Sequence, residues 1–161
     1  GGGIYIDSGT HRFRNILVAA NYIYGTVTCS LLGSGFYIIN GAVTIENATI
    51  VTNTGSGIVS SGAIYRGGAA NVSVYNSILW SNPSGDYTGT ITFSNCCATG
   101  LAAGVNGNLT NDPLFVNTSV GDYRLQTAFP RWSVASNDWV HESQTSPCID
   151  AGTNQIWMDS A

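Results

Sequence analysis

The chain repeats an Asn-x5-Asn frame three times: NILVAAN from Asn15 to Asn21, NATIVTN from Asn47 to Asn53 and NSILWSN from Asn76 to Asn82. Each copy carries an aliphatic residue three places before its second Asn: Val18, Ile50 and Leu79. A Gly/Ser-rich aromatic segment precedes each copy: GGGIYI at Gly1, GSGFYI at Gly33 and SGAIYR at Ser61. The register steps by 32 residues and then by 29. A strand-forming repeat of this length buries its apolar face only by stacking on its neighbours, which makes a solenoid. The repeat therefore constrains architecture strongly. It constrains activity weakly, because one scaffold carries many functions.

Three strand types recur in order. The first is Gly3-Ile6, Gly35-Ile38 and Gly62-Arg66; the second runs through the Asn frame at Arg12-Ala20, Val43-Thr52 and Val72-Ser81. The third is TVTCS (Thr26-Ser30), matched by TITFS (Thr90-Ser94), with GIVS (Gly57-Ser60) in the same slot of the shortened middle repeat. This predicts an all-β parallel solenoid with three strands per coil and about three full coils before residue 96. Equivalent strands stack about 4.8 Å apart. Ile4, Phe36 and Ile64 then form one inward column, and Val18, Ile50 and Leu79 a second. Val27, Ile58 and Ile91 line the third strand, and Cys29 shares the register of Phe93. The 161 residues read as one domain: repeat coils 1-32, 33-60 and 61-95, a C-terminal coil 96-126, an insertion 127-146 and a closing segment 147-161.

The Asn columns have a physical reason. Asn tolerates left-handed geometry, its side chain satisfies backbone groups at tight corners, and stacked Asn side chains hydrogen-bond to one another. Asn15, Asn47 and Asn76 are expected at one corner, and Asn21, Asn53 and Asn82 at another. Strand parity places Tyr5, Tyr37 and Tyr65 opposite the Ile4 column, as an outward aromatic ladder. Such a ladder stabilises a sheet by cross-strand stacking. It also offers a stripe for sugar stacking or protein docking.

Only 9% of residues are charged, the formal charge is −4, and Lys is absent; all five basic residues are Arg. That balance argues against nucleic-acid or anionic-membrane partners, which need basic patches. No apolar run is long enough to span a bilayer. A surface of Asn, Ser, Thr and Gly suits an extracellular or cell-surface protein. The start at Gly1, inside an expected strand, and the stop at Ala161 read as a piece trimmed from a larger precursor or as an isolated domain. Of the four cysteines, Cys96 and Cys97 are adjacent, so on a strand they face opposite sides. One points inward and the other is placed to bridge Cys148, as expected in an oxidising compartment; four buried thiols are the alternative.

GGGIYI and SGAIYR resemble the GGA[I/L/V] motif of polymorphic outer-membrane-protein repeats, and VAAN, IVTN and LWSN resemble its FxxN motif. The stretch NGNLTNDPLFVN…GDYRLQ…SPCIDAGTN is similar to the C-terminal coils of secreted bacterial parallel β-helix proteins. The resemblance covers most of the chain and implies a right-handed parallel β-helix. That fold carries adhesins, structural proteins and polysaccharide lyases alike. Residues Thr127-Gln144 depart from the pattern where a short turn is expected, and the coil usual after DAGTN is missing. This insertion holds Arg131, Trp132, Asp138, Trp139, His141 and Glu142. It reads as a lid over the last coil or as an interface, since Trp and Arg are favoured anchors.

Polysaccharide hydrolases and lyases need carboxylates converging on one groove, with a basic partner. Here the acids Asp7, Glu46, Asp86, Asp112, Asp122, Asp138, Glu142, Asp150 and Asp159 are scattered. Asp7, His11, Arg12 and Arg14 form the nearest approach to a cluster and read as a solvated loop. His11 and His141 lack metal-ligand spacing. No catalytic residue, metal or cofactor is therefore expected. The expectation is a non-catalytic structural or adhesive solenoid, capable of stacking through open ends into a filament or surface layer. Its partners are copies of itself or cell-surface glycans and proteins. A polysaccharide-binding or polysaccharide-degrading domain is the competing expectation.

Overall fold

The computed structural model describes residues 2–25, 30–56 and 59–154. Its described strands are short, most of three to five residues, and nearly all stack in parallel between successive passes of the chain. The first sheet contains Ile4–Ile6, Phe36–Ile38, Ile64–Arg66 and Tyr87–Thr88, paired in that order. The second contains Thr10–Arg14, Ala42–Glu46, Asn71–Tyr75 and Thr92–Ser94. The third contains Leu17–Ala19, Thr49–Val51, Ile78–Trp80 and Cys97–Ala98. Two smaller parallel pairs, Tyr22–Tyr24 with Thr54–Ser56 and Ser30–Leu31 with Val59–Ser60, line the remaining side. The whole is all-β with stacked parallel strands, as a parallel β-solenoid requires.

The core follows from the alternation of side chains along each strand. Val43 and Ile45 point inward with Val72 and Val74 above them, and all four are fully buried. The expected inward columns form in register. Ile4 pairs with Phe36 and Phe36 with Ile64; Val18 pairs with Ile50 and Ile50 with Leu79. Of the third expected column, Val27 and Ile58 lie outside the described residues, as does Cys29.

Two expectations change. The Asn frame is not one strand but two, because Asn15, Asn47 and Asn76 each take a left-handed conformation (φ 52°, 53° and 48°) that turns the chain from the second sheet into the third. TITFS does not take the third-strand slot expected for it. Thr92–Ser94 pairs with Ser73–Tyr75 in the second sheet, and Phe93 stacks on Val74. The β-branched pattern of the two segments is alike, but the last pass is shorter. Its corner residue Asn95 (φ 51°) follows Asn76 by only 19 positions.

Past Ala98 the parallel stack ends. One more parallel bridge joins Cys97 to Leu109. Where a C-terminal coil was expected, the chain instead forms an antiparallel hairpin, Phe115–Asn117 with Asp122–Leu125. Pro113, fully buried, has no N–H to donate to a further ladder rung. The hairpin leans on the solenoid flank through a Tyr123–Thr52 hydroxyl hydrogen bond of 3.0 Å.

Candidate functional site

The outward face of the first sheet carries the tyrosine ladder. Tyr5, Tyr37 and Tyr65 occupy the same register, and successive ring centroids lie 5.4 and 5.3 Å apart in edge-to-face contact. Strand spacing alone brings equivalent side chains close to this distance. Tyr5 is 56% exposed, while Tyr37 and Tyr65 are half-buried. Gly67 leaves room for the last ring; a Cβ there would meet Tyr65 Cε1 at 2.9 Å.

The insertion folds as a second antiparallel hairpin, Arg131–Ser133 with Asp138–Val140, in which Trp132 pairs across the strands with Trp139. Their rings meet edge-to-face at 6.0 Å and stay exposed, at 45% and 64%. The Arg131 guanidinium grips Glu142, with Nε donating to Oε1 at 3.0 Å, and Nη2 donates to the same oxygen. That partner holds the Glu142 carboxyl below its usual range. Arg131 is therefore a brace for this hairpin, not a free anchor.

The two Asn columns prove chemically different. Asn47 Nδ2 donates to Asn15 Oδ1 at 3.2 Å on the surface. In the other column the left-handed residue is the preceding one, Ala20, Thr52 or Ser81 (φ 53–54°). The Asn that follows turns its amide inward. Asn53 is fully buried, accepts from Asn21 Nδ2 at 2.8 Å and donates to Val18 O at 2.8 Å. Asn82 continues the ladder by accepting from the Asn53 backbone N–H at 2.9 Å, and its Nδ2 donates to Asp86 Oδ1 at 2.8 Å. Residue type and spacing reveal both columns. They do not reveal which one faces the core.

Several of the described acidic residues are taken up by local structure. Glu46 is buried against Arg14, with Nε–Oε2 at 2.6 Å. Asp86, also buried, accepts from the Thr99 hydroxyl at 2.6 Å and the Thr99 N–H at 2.8 Å, tying two passes together. Asp112 accepts the Leu114 N–H as a turn residue, and Asp122 is held below its usual pKa by Arg124. His11 contacts the Ser8 carbonyl at 2.8 Å. Among the described residues no three His, Cys, Asp or Glu side chains converge as a metal site would need.

The cysteines divide. Cys96 turns into the core, its thiol against the Val74 and Ser94 carbonyls at 3.3 Å, and burial pushes its pKa up to about 11. Cys97 faces the other way: its thiol donates to the Asn111 carbonyl oxygen at 3.2 Å, and it lines one cleft with Cys148. All three are present as thiols.

A family described as disaggregatase related matches residues 71–152, just over half of the chain. The chain belongs to the disaggregatase-related family. The matched span begins with the strand Asn71–Tyr75 and takes in both hairpins, the Trp132–Trp139 pair and the Cys97–Cys148 contact. The tyrosine ladder of this disaggregatase-related chain lies outside that span. No curated protein and no solved structure matches the chain.

Proposed function

We propose that this chain is a right-handed parallel β-helix of about three full coils, resembling polymorphic outer-membrane-protein repeats, that acts outside the cell as a non-catalytic adhesive module. Its ligand is a linear glycan laid along the Tyr5–Tyr37–Tyr65 ladder. The carrying observation is the ladder itself: three phenols in one register, 5.4 and 5.3 Å apart, on the outer face of a rigid sheet. Tyrosine presents an apolar ring face to sugar C–H groups and a hydroxyl to sugar oxygens. A periodic stripe suits a periodic polymer, because weak contacts add along it without new strain. The family description, disaggregatase related, supports a role on aggregated material. The absorption of Glu46, Asp86, Asp122 and Glu142 into structural contacts supports binding over hydrolysis or elimination.

The test is affinity electrophoresis and pull-down on a panel of acidic and neutral polysaccharides, with product analysis of the same mixtures. Retention of the wild-type chain on at least one glycan is expected, with at least a tenfold loss in Tyr37→Ser and little loss in Trp139→Ser. Equal retention of Tyr37→Ser would refute the ladder as the site. Release of oligosaccharides would replace adhesion by catalysis, and concentration-dependent filaments without glycan retention would favour self-assembly.

A further inference from the structure

We infer that Cys97 and Cys148 form a redox-closable covalent staple that fixes the C-terminal return segment to the solenoid. The chain comes back past the last parallel strand so that Cys148, Ala151 and Gly152 line one cleft with Asn76, Asn95 and Cys97. The return segment is registered there by the corner asparagines: Asn76 Nδ2 donates to Thr153 O at 2.6 Å, Thr153 N donates to Asn76 Oδ1 at 3.1 Å, and Asn95 Nδ2 reaches Thr153 Oγ1 at 3.2 Å. Within that registered segment Cys148 shares the cleft with Cys97, whose thiol donates to the Asn111 carbonyl oxygen at 3.2 Å. Adjacent Cys96, by contrast, is turned to the core and satisfied by two carbonyls.

Exposure and proton affinity assign the order of events. Cys148 is half-buried, and the neighbouring Cys97 thiol lowers its pKa. Cys97 is only 2% exposed, and the neighbouring Cys148 thiol, with burial, raises its pKa. The thiolate is the nucleophile in exchange. Cys148 therefore attacks a small-molecule disulfide such as oxidised glutathione, forming a mixed disulfide and releasing one thiolate. Cys97 then gives up its proton and attacks Cys148 Sγ, expelling the second glutathione thiolate. Two protein thiols become one disulfide, and one small disulfide becomes two thiols. Cys29 lies outside the described residues and is not needed for this balance.

The full chain is incubated with oxidised and then reduced glutathione, alkylated, digested with trypsin and read by tandem mass spectrometry. Cleavage falls only at the five Arg residues, so Cys97 lies in peptide 67–124, Cys148 in 132–161 and Cys29 in 15–66. The expected result is a fall from four alkylatable thiols to two, with peptides 67–124 and 132–161 joined and released by reductant. Fragmentation between residues 96 and 97 places the bond on Cys97 without any variant. Cys96→Ser keeps the link; Cys97→Ser and Cys148→Ser each abolish it. Amide exchange across residues 146–154 slows at least tenfold on oxidation. Four persistent thiols, a link to peptide 15–66, a stalled glutathione adduct on Cys148, or a bond mapped to Cys96 would each overturn the staple.

Discussion

Replacing Asn53 by Ala tests the claim that the inward Asn ladder, not the surface one, holds the passes together. Asn53 is fully buried, and its side chain makes five hydrogen bonds: Nδ2 to Val18 O, Val51 O and Asn82 Oδ1, and Oδ1 from Asn21 N–H and Asn21 Nδ2. A typical bond contributes about 0.5–1.5 kcal/mol net, and a buried group left without a partner costs about 1–3 kcal/mol. Deleting the amide removes the acceptor of the Asn21 N–H and of the Asn21 side-chain amide. The expected loss is about 3–5 kcal/mol, a large part of the roughly 5–15 kcal/mol that holds a domain folded. Asn47 supplies the contrast. It is needed for its left-handed φ of 53° and one surface bond to Asn15. Asn47→Gly should therefore cost under about 1 kcal/mol, since Gly accepts that φ freely. Asn53→Gly should cost as much as Asn53→Ala, because what is lost is an amide and not a conformation. Urea unfolding followed by far-ultraviolet circular dichroism measures all three. The reasoning fails if Asn53→Ala costs less than about 1.5 kcal/mol, or if Asn47→Gly and Asn53→Gly prove equal.

Three further outcomes are expected. Ala20 sits at φ 54°, where a Cβ is strained by about 1–2 kcal/mol; Ala20→Gly should be neutral or stabilising by up to about 1 kcal/mol in the same urea assay. Leu79, fully buried between Ile50 and Ala98, should lose about 2–5 kcal/mol as Leu79→Ala, measured by the shift in urea midpoint. Glu142 has a folded pKa lowered by Arg131, so its contribution is present above the ordinary carboxylate pKa near 4.5 and is lost as pH falls through the lower folded value. Tryptophan fluorescence should report loosening of the Trp132–Trp139 hairpin below that range in the wild type. Glu142→Gln should remove the acid-dependent step.

Closing the Cys97–Cys148 staple should also raise stability. A closed loop of roughly fifty residues corresponds to about 4 kcal/mol by loop-closure entropy, read as an upward shift in urea midpoint on oxidation that Cys148→Ser removes.

Much of the architecture is legible in the sequence. Spacing alone fixes which residues share a column, because a parallel stack translates a repeat period directly into neighbours: Ile4 beside Phe36, Val18 beside Ile50, Tyr5 beside Tyr37. That is a one-dimensional property, so a one-dimensional string carries it. The short last pass breaks the period, and the segment Thr90–Ser94 is misplaced by pattern for that reason; only its pairing with Asn71–Tyr75 shows where it lies. Orientation is also a three-dimensional matter. The sequence marks Asn15 and Asn21 as equals, yet a single left-handed residue sits at the first and just before the second, turning one amide outward and the other into the core. The sequence likewise narrows the partner of Cys148 to two adjacent thiols. Only the fold distinguishes them, turning the Cys96 thiol toward the Val74 carbonyl and setting Cys97 in one cleft with Cys148, since contacts across about fifty residues depend on where the backbone comes back.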